Sequence, residues 1–377
     1  MNARSKDAPR LTLARWLFTP LAGVLLGDWL RLLRAFGTGI PARYWARSTF
    51  TTAMALVNSA LAPLERRRYD HTIATQTVHA PVFVVGHHRS GTTHLWNLLA
   101  QDPQFVYPNV LQAVFPHTFL TTEGSIKRLA RRFVPRKRPQ DNVDLSPDSP
   151  IEEERAICTM SFVSMQMARH FPRQRASFER FLTLRSASTE ERTRWQQALD
   201  RFARKLLVRN GGHGTPLFKA PDHTGKLRYL LALYPDARIV HIHRDPYTVF
   251  RSTRRMELQT QPLYAYQPLD PQQLDDFILW RYRTMYEAFF EDREQIPAGQ
   301  FAEVSFDELE AAPLATVERI YKELGVSGYD TLKPRLEQYL QGLGGYRKNQ
   351  YTELPMAERR RVAEHWQEAF ERLGYPQ

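Results

Sequence analysis

The stretch "VFVVGHHRSGTTHLWNLLAQDP" (residues 82–103) joins an apolar run to a glycine-containing loop and a segment with helical periodicity. The run from Val82 to Val85 predicts a buried strand, and the segment from Gly91 to Gln101 predicts a helix. In such a loop the backbone N–H groups converge at the helix N-terminus, where the helix dipole stabilises an anion. The sequence therefore predicts a phosphate-binding loop at Gly86–Thr93.

The loop departs at one position from the GxxxxGK[ST] pattern of nucleotide triphosphatases. Gly86 and Gly91 have the required spacing, but Thr92 stands in place of the lysine. Because that lysine neutralises the β- and γ-phosphates beside a metal ion, its absence argues against transfer of a γ-phosphoryl group. Arg89, Thr92 and Thr93 would instead surround a different phosphate ester with a guanidinium group and two hydroxyls.

Composition narrows the class of protein. The chain has 377 residues, of which 42% are hydrophobic, enough for a large globular protein. Its 52 Lys and Arg against 40 Asp and Glu give a formal net charge of +12, which favours a nucleic acid, a membrane surface or a phosphorylated small molecule as partner. The single cysteine, Cys158, excludes an internal disulfide and a cysteine-rich metal site, so we expect a protein of the reducing cytoplasm.

Predicted strands and helices alternate along the rest of the chain. The strands are Val82–Val85, Leu217–Lys219, Ala237–Ile242 and Phe301–Val304. The helices are Gly91–Gln101, Glu190–Val208, Gly225–Tyr234, Tyr247–Arg255 and Gln272–Arg293. This alternation predicts an α/β fold in which helices cover both faces of a central, mostly parallel sheet. Ligands of such a sheet bind at the carboxyl ends of its strands.

A second stretch, "LFKAPDHTGKLRYLLALYPDARIVHIHRDPYTVFRS" (residues 217–252), predicts another anion site. Arg244 ends a strand, and Ser252 follows about two turns into the next helix. The two side chains can converge on one anionic group. Two separate phosphate sites on one sheet indicate a nucleotide that is phosphorylated at both ends.

With both sites in view, the chain resembles the sulfotransferases that use 3'-phosphoadenosine 5'-phosphosulfate (PAPS) as co-substrate, in particular the bacterial-type families with an "RSGTT" loop. The resemblance runs from about Pro81 to Gly325. It implies a P-loop-like three-layer fold in a sulfotransferase domain at 81–377, preceded by an N-terminal helical segment at 1–80, and chemistry that requires no metal. The residues it assigns to the nucleotide are Arg89, Ser90, Gly91, Thr92, Thr93 and His94 in the 5'-phosphosulfate loop, and Arg244 and Ser252 at the 3'-phosphate.

The same resemblance implies how sulfuryl transfer is catalysed. An acceptor hydroxyl or amine must lose a proton while the leaving phosphate oxygen gains negative charge. Lys219 resembles the family lysine that reaches the bridging oxygen of the donor. Many bacterial relatives carry a glutamate shortly after the first helix, but the matching position here is Gln112, whose amide cannot accept a proton.

Two groups are therefore candidates for the base. His223 lies four residues beyond Lys219, close to where a catalytic histidine follows a lysine in the cytosolic sulfotransferases, and imidazole has an unperturbed pKa of about 6.5. The other candidate is the acidic cluster Glu152, Glu153 and Glu154 in "SPIEEERAI", which resembles the family pattern "SPxEDE" but could also serve as helix-capping charge. We expect His223 to be the base, with Glu153 or Glu154 orienting it or the acceptor.

Other motifs are less specific. His243, Arg244 and Asp245 spell the HRD of protein kinases, but Phe250 replaces the asparagine that the kinase catalytic loop requires. His241 and His243 face the same side of a strand, yet no acidic or cysteine ligand is spaced to complete a metal site. Two alternatives stay open: a small-molecule kinase with an aberrant phosphate loop, and a membrane-bound nucleotide-binding protein without catalysis.

The N-terminal stretch "RWLFTPLAGVLLGDWLRLLRAFG" (residues 15–37) is apolar, but it is too short and too interrupted to span a bilayer and is a poor cleavable signal. Trp29, Leu30, Leu33 and Phe36 recur at helical spacing. This pattern fits either a helix packed on the domain or one lying in a bilayer interface.

The basic stretch Lys127–Arg138 lies in a segment with the composition of a loop or lid, and apart from Phe133 it lacks the interleaved aromatic residues of nucleic-acid-binding surfaces. Together with the N-terminal helices and the net charge of +12, it indicates a peripheral protein on the inner face of an anionic membrane rather than a partner of nucleic acid. The acceptor would then be a small molecule of lipid-like, amphiphilic character.

Overall fold

The computed structural model describes residues 19–130, 146, 148–343 and 353–377. The strands in these residues are β1 (Val82–Val85), β2 (Phe105–Val106), β3 (Thr215–Lys219), β4 (Arg238–His243) and β5 (Phe301–Ser305). They form one sheet in the order β2-β3-β1-β4-β5, in which every neighbouring pair is parallel. The predicted parallel sheet is confirmed.

The predicted strands differ from the observed ones only at their ends. β3 begins two residues before the predicted Leu217, and β4 lies one residue later than predicted. The sequence does not predict β2, because a strand of two residues at a sheet edge leaves no periodic pattern.

Sixteen α-helices lie in the described residues, and the five predicted helices are among them, at Thr92–Leu99, Thr189–Arg209, Leu227–Leu233, Pro246–Tyr264 and Leu274–Arg293. The α-helices are α1 (Leu26–Phe36), α2 (Trp45–Ala74), α3 (Thr92–Leu99), α4 (Val110–Val114), α5 (Phe119–Ala130), α6 (Glu154–Ser161), α7 (Met167–His170), α8 (Thr189–Arg209), α9 (Leu227–Leu233), α10 (Pro246–Tyr264), α11 (Leu274–Arg293), α12 (Phe306–Ala311), α13 (Pro313–Glu323), α14 (Tyr329–Gly342), α15 (Met356–His365) and α16 (Gln367–Leu373). Short 3-10 helices span Pro20–Gly23, Gly37–Gly39, Ala42–Tyr44, Pro172–Ser177, Glu179–Phe181, Pro221–Lys226 and Pro271–Gln273.

Strand β1 separates two hydrophobic layers. Phe83 and Val85 face one buried cluster, and Val82 and Val84 face another. All four side chains are buried, as expected for a central strand whose sheet is covered on both faces. The arrangement confirms the three-layer prediction.

The register of the sheet brings the predicted site residues to one edge. Val84 pairs with Lys219 at the end of β3, and Val85 pairs with His241 in β4, three residues before Arg244. The loop that follows β1 therefore lies between the carboxyl ends of β3 and β4. Ligands of parallel sheets bind at such a position. Here the connection from β1 runs toward β2 at one edge of the sheet, whereas the connections from β3 and β4 run toward β5 at the other edge.

Helix α1 packs inward. Trp29 is fully buried, its Nε1 donates to Thr52 Oγ1 at 2.8 Å, and its ring lies 5.2 Å from that of Tyr266. Leu33 and Phe36 pack against the same cluster, while Leu30 is 39% exposed. The structure thus confirms the packing interpretation for this helix, and the division of the chain at residue 80 stays a prediction.

Helix α2 is joined to the sheet domain by a buried arginine. Arg47 donates to the carbonyl oxygens of Pro262, at 2.8 Å, and Ala265. These carbonyls lie at the C-terminal end of α10, where backbone oxygens lack helical partners and a cation is favoured.

In the described residues, no helix is long and apolar enough to cross a membrane. Residues 1–18, and the basic stretch Lys127–Arg138 from position 131 onward, lie outside the described residues.

Candidate functional site

The loop between β1 and α3 has the backbone of an anion cradle. Gly86 and Gly91 have positive φ angles of 140° and 101°, and Arg89 between them has 73°. A Cβ at Gly86 would lie 2.2 Å from the carbonyl oxygen of Ile242, and one at Gly91 would lie 2.4 Å from the ring of Phe306. Both positions therefore require glycine, because the backbone conformation and the close packing exclude a side chain.

Ser90 provides a test of whether the loop fits a phosphate. Its side chain is only 1% exposed, yet its Oγ has no hydrogen-bond partner among the described residues. A buried hydroxyl without a partner costs about 1–3 kcal/mol. A phosphate oxygen in the loop would supply the missing acceptor, so the residues present fit such a group.

The remaining loop residues that the sequence assigns to the 5'-phosphosulfate begin α3. Thr92 is buried, and Thr93 and His94 are half-buried in the first turn. Their contact with a phosphate stays a prediction.

The second predicted anion site lies against the loop. Arg89 Nε donates to Ser252 Oγ at 2.9 Å, and Ser252 is buried on α10. The guanidinium carbon of Arg244 lies 4.0 Å from the centre of the Phe306 ring, the same ring that packs on Gly91. The Phe306 ring thus packs against one residue of each predicted anion site.

Three consecutive glutamates face the segment 219–226, and the first of them reaches Lys219. Glu152 Oε1 accepts a hydrogen bond from Lys219 Nζ at 2.6 Å. The side chain of Glu152 is 21% exposed, and that of Lys219 is 2% exposed. Burial alone would raise the pKa of Glu152, but the positive charges of Lys219 and Arg155 lower it to about 2.

Glu153 and Glu154 are more deeply enclosed. Glu153 Oε2 accepts the backbone N–H of Lys219 at 3.0 Å, and Glu153 Oε1 lies 2.7 Å from His223 Nε2. Glu154 Oε1 lies 3.3 Å from Lys226 Nζ. The four side chains of Glu153, His223, Glu154 and Lys226 have no exposed surface. Burial raises the pKa of Glu154 against the opposing charge of Lys226.

That His223 takes a proton from an acceptor stays a prediction, and the surroundings of its imidazole bear on it. The imidazole lies edge-on to Phe83 and Trp195, with ring centres 5.6 and 5.8 Å away, and it is 0% exposed. A base must come within hydrogen-bond reach of the proton that it removes. His223 and Glu153 could meet an acceptor only if the packed rings moved apart, whereas Glu152 already has exposed surface.

Gln112 has a structural role. Its backbone N–H donates to Asn109 Oδ1 at 2.9 Å, and its Oε1 accepts the Asn109 N–H at 3.0 Å, a capping box that begins α4. Its side-chain Nε2 donates to Glu123 Oε1 at 3.2 Å. Both polar atoms of the Gln112 side-chain amide therefore have hydrogen-bond partners within the protein.

Sequence reasoning missed several residues of the site. Asp222 Oδ1 lies 3.7 Å from His88 Nε2, and Asp222 and Lys226 both flank His223 in "APDHTGK". Because Asp222 and Lys226 lie close to His223 in the sequence, their place in the site could have been inferred. Phe306 could not have been identified in this way, because it lies far from Arg244 in the sequence. The pairing of β4 with β5 brings its ring against the Arg244 guanidinium group.

His241 and His243 are buried and half-buried, hydrogen-bonded residues. His241 Nδ1 lies 2.8 Å from Glu303 Oε2, and His243 Nδ1 lies 2.8 Å from Tyr375 Oη. Among the residues that the structure describes, no group of three or more His, Cys, Asp and Glu is arranged to hold a metal ion.

A cavity of about 510 Å³ lies along α10 beyond Ser252. Its walls combine apolar side chains such as Leu274 and Phe277 with charged ones such as Arg173 and Glu257. Glu257 is one of the buried residues of α10. The cavity thus combines apolar and polar surface beside the C-terminal half of α10.

Comparison with known proteins identifies relatives over the whole chain. A model of the Sulfotransferase family matches residues 81–331. The omega-hydroxy-beta-dihydromenaquinone-9 sulfotransferase Stf3 of Mycobacterium bovis is 31% identical over 372 residues, which cover 98% of this chain and 95% of that protein. The Mycobacterium tuberculosis protein of the same name gives the same values.

Two solved structures have a similar fold. Sulfotransferase STF1 of Mycobacterium tuberculosis H37Rv has a TM-score of 0.65 and 20% identity, with 93% of each chain covered. Sulfotransferase STF9 of Mycobacterium avium has a TM-score of 0.70 and 18% identity, with 90% of this chain and 88% of that chain covered. The predicted three-layer architecture is the one that these proteins share.

Proposed function

This chain belongs to the sulfotransferase family, and on that premise we propose that it transfers a sulfuryl group from PAPS to a hydroxyl group of a lipid-like acceptor. The observation that carries the choice of donor is the 2.9 Å hydrogen bond from Arg89 Nε to Ser252 Oγ, which joins the two predicted anion sites. A nucleotide phosphorylated at its 5' and 3' positions would bridge these sites.

The residues around this hydrogen bond would bind the nucleotide in two places. The N–H groups of Gly86–Thr93 and the buried Ser90 hydroxyl would donate to the 5'-phosphate, with Thr92, Thr93 and His94 beside them. Arg244, held over the Phe306 ring, would bind the 3'-phosphate together with Ser252. Charge-assisted contacts of this type are about twice as strong as neutral hydrogen bonds.

Lys219 would stabilise the leaving group. During transfer the acceptor oxygen forms a bond to sulfur, the bond from sulfur to the 5'-phosphate oxygen breaks, and its electron pair stays on that oxygen. Lys219 is the last residue of β3, beside the loop, and its side chain is only 2% exposed. A buried cation stabilises developing negative charge more strongly than an exposed one.

Glu152 would accept the proton that the acceptor loses. In the structure its pKa is lowered by the ion pair with Lys219, which makes it a weak base. When Lys219 donates to the leaving oxygen instead, this ion pair weakens and the basicity of Glu152 rises. The Lys219–Glu152 hydrogen bond would thus couple departure of the phosphate to removal of the proton.

His223 and Glu153 would act as positioning residues in this scheme. Glu153 contacts His223 with one oxygen and accepts the backbone N–H of Lys219 with the other. The pair would fix the end of β3 and therefore the start of the lysine side chain.

The acceptor would lie in the cavity along α10. Its apolar and charged walls suit an amphiphile, and the curated relative Stf3 is named for a hydroxylated menaquinone derivative. We extend to this chain only the chemical class, a lipid-like molecule that presents a hydroxyl group. Because such a molecule resides in a membrane, the protein would act as a peripheral membrane protein.

The donor is tested by isothermal titration of the full chain with adenosine 3',5'-bisphosphate in the presence of EDTA, and with ATP in the presence of magnesium. We expect tight binding of the bisphosphate alone. Preference for ATP with magnesium would overturn the proposal in favour of a small-molecule kinase. Transfer of radiolabelled sulfate from PAPS to a hydroxylated prenyl quinone, with the same quinone lacking the hydroxyl as control, then separates an enzyme from a binding protein.

A further inference from the structure

The outward face of α2 is apolar over most of its length. From Trp45 to Leu64, a stretch that the structure describes completely, every exposed residue is uncharged. Trp45, Leu56, Val57 and Leu64 are 63%, 53%, 48% and 57% exposed, and the other exposed residues are alanine, threonine or proline. At a rise of about 1.5 Å per residue this stretch extends over roughly 28 Å.

The four large side chains share one side of the helix. At about 100° per residue, Trp45, Leu56, Val57 and Leu64 fall within an arc of roughly 120°. The opposite side is buried against the rest of the protein through Arg47, Ala55, Ala62 and other residues. Of the seven large hydrophobic side chains exposed in the described residues, these four are on α2, so the face is a continuous patch rather than scattered exposure.

Arginines lie at both ends of this patch. Arg43 is exposed just before the helix, and Arg66, Arg67 and Arg68 are exposed after Leu64 and the buried Glu65. An apolar stripe with a tryptophan near its end and basic residues on its flanks is the pattern of helices that lie in a membrane interface. Two copies of the chain joined through the patch would bring arginines of one copy close to those of the other in either orientation, which like charges disfavour.

We propose that the outward face of α2, from Trp45 to Leu64, docks the protein on an anionic bilayer. The apolar side chains insert between the lipid headgroups, and Arg43 and Arg66–Arg68 contact their phosphates. This inference deepens the proposed function and rests on it. A lipid-like acceptor is dissolved in the bilayer, so a protein that sulfates it must reach the membrane. The inference also places the membrane contact on α2 instead of α1, because Trp29 of α1 is buried and Leu33 and Phe36 pack against the core.

The test is co-sedimentation of the full chain with vesicles of phosphatidylcholine that contain about one third phosphatidylglycerol. The variant Leu56→Glu/Leu64→Glu places two charges on the patch. Met356→Glu, at a residue 77% exposed on α15, is the matched control. We expect the double variant to partition at least about tenfold less than the parent, and Met356→Glu to partition like the parent. Binding should also fall in pure phosphatidylcholine vesicles and in high salt.

Four outcomes would overturn the proposal. The parent does not sediment at low salt, or the double variant sediments as well as the parent. Sedimentation velocity without lipid shows a dimer that the double variant abolishes, which would make the patch an interface between copies. Hydrogen exchange shows residues 1–18 released by the double variant while vesicle binding is unchanged, which would make the patch their docking site.

The affinity of each variant for adenosine 3',5'-bisphosphate keeps this test separate from the proposed function. Loss of vesicle binding with unchanged bisphosphate affinity supports the docking face whether or not a lipid acceptor is sulfated. Vesicle binding without any PAPS-dependent transfer would leave the docking face in place and count against the proposed function alone.

Discussion

Two lysine–glutamate pairs join the same two segments of the chain but have different surroundings. Lys219 donates to Glu152 at 2.6 Å, and Glu152 is 21% exposed. Lys226 lies 3.3 Å from Glu154, and both side chains have no exposed surface. The first pair can exchange its partner for a substrate group, whereas the second cannot without opening the core. We therefore propose that the partly exposed Lys219–Glu152 pair is a reactive pair, and that the enclosed Lys226–Glu154 pair is a structural pair.

Replacement of Lys219 tests the reactive pair and has the largest expected effect. For Lys219→Met we expect turnover to fall by about 10³-fold, equivalent to ~4 kcal/mol, because the leaving oxygen loses its cation. The free energy of unfolding should change by only about 1 kcal/mol, since Glu152 keeps contact with water. Steady-state kinetics and urea unfolding measure the two effects. Lys219→Arg is the control and should recover part of the turnover.

Replacement of Lys226 tests the structural pair. Lys226→Met leaves Glu154 buried without its cation, and we expect a loss of about 3 kcal/mol of unfolding free energy. This is the lower end of the range for a broken buried pair, because burial already raises the pKa of Glu154 and favours its protonation. Urea unfolding at neutral pH measures the loss. Equal destabilisation by Lys219→Met and Lys226→Met would remove the distinction between the pairs.

Replacement of Glu152 and of His223 tests which residue is the base. Glu152→Gln should lower kcat by about 10²-fold and leave bisphosphate affinity within a few-fold of the parent. His223→Asn should reduce stability but change kcat by less than about tenfold, with the pH profile of kcat unchanged. If the folded His223→Asn protein instead lost most of its turnover together with a titration in that profile, the base would be His223.

The two arginines at opposite ends of β4 give a matched comparison for nucleotide binding. Arg244→Ala should weaken adenosine 3',5'-bisphosphate binding by about 2 kcal/mol, close to thirtyfold, because a charge-assisted contact is lost. Arg238→Ala, at the amino end of the same strand, should bind like the parent. Isothermal titration measures both, and unchanged affinity in Arg244→Ala would contradict the assignment of the 3'-phosphate site.

The smallest effect concerns pH. The folded-state pKa of Glu152 is about 2, below its ordinary value of 4.5, so the ion pair stabilises the protein above the ordinary pKa and loses this effect as the pH falls through the folded value. We expect a stability advantage of the parent over Glu152→Gln on the order of 1 kcal/mol at neutral pH, after screening by solvent. Unfolding curves should converge between about pH 4.5 and 2. A constant difference across this window would show that the pair does not lower the pKa of Glu152.

The parts of the molecule that depend on local pattern could be predicted from the sequence. The strand before Gly86 and the helix after Gly91 follow from an apolar run and a helical repeat, and both are in the structure. The positive φ angles of these two glycines agree with a loop that only small residues allow. The strand β2 could not be predicted, because two residues at a sheet edge owe their conformation to pairing with Thr215 and Pro216.

The candidate site divides in the same way. Lys219, His223 and the glutamates are visible in the sequence, but their pairing is a tertiary property that brings segment 152–154 against segment 219–226. Sequence reasoning therefore treated His223 as an accessible imidazole, although Phe83 and Trp195 pack against it. Periodicity identifies which residues are apolar, but not which polar residue they surround.

The hydrogen bonds of Arg47 to the last carbonyls of α10 affect which residues an expressed fragment of the protein must contain. The family match begins at residue 81, yet a fragment that starts there would lose this cation from the end of the helix that carries Ser252. It would also uncover the ring of Tyr266, which now packs on Trp29 and shares a hydrogen bond with Thr51. The start of the family match is thus not a border of the packed structure, and residues 81–377 should be produced with residues 1–80 attached.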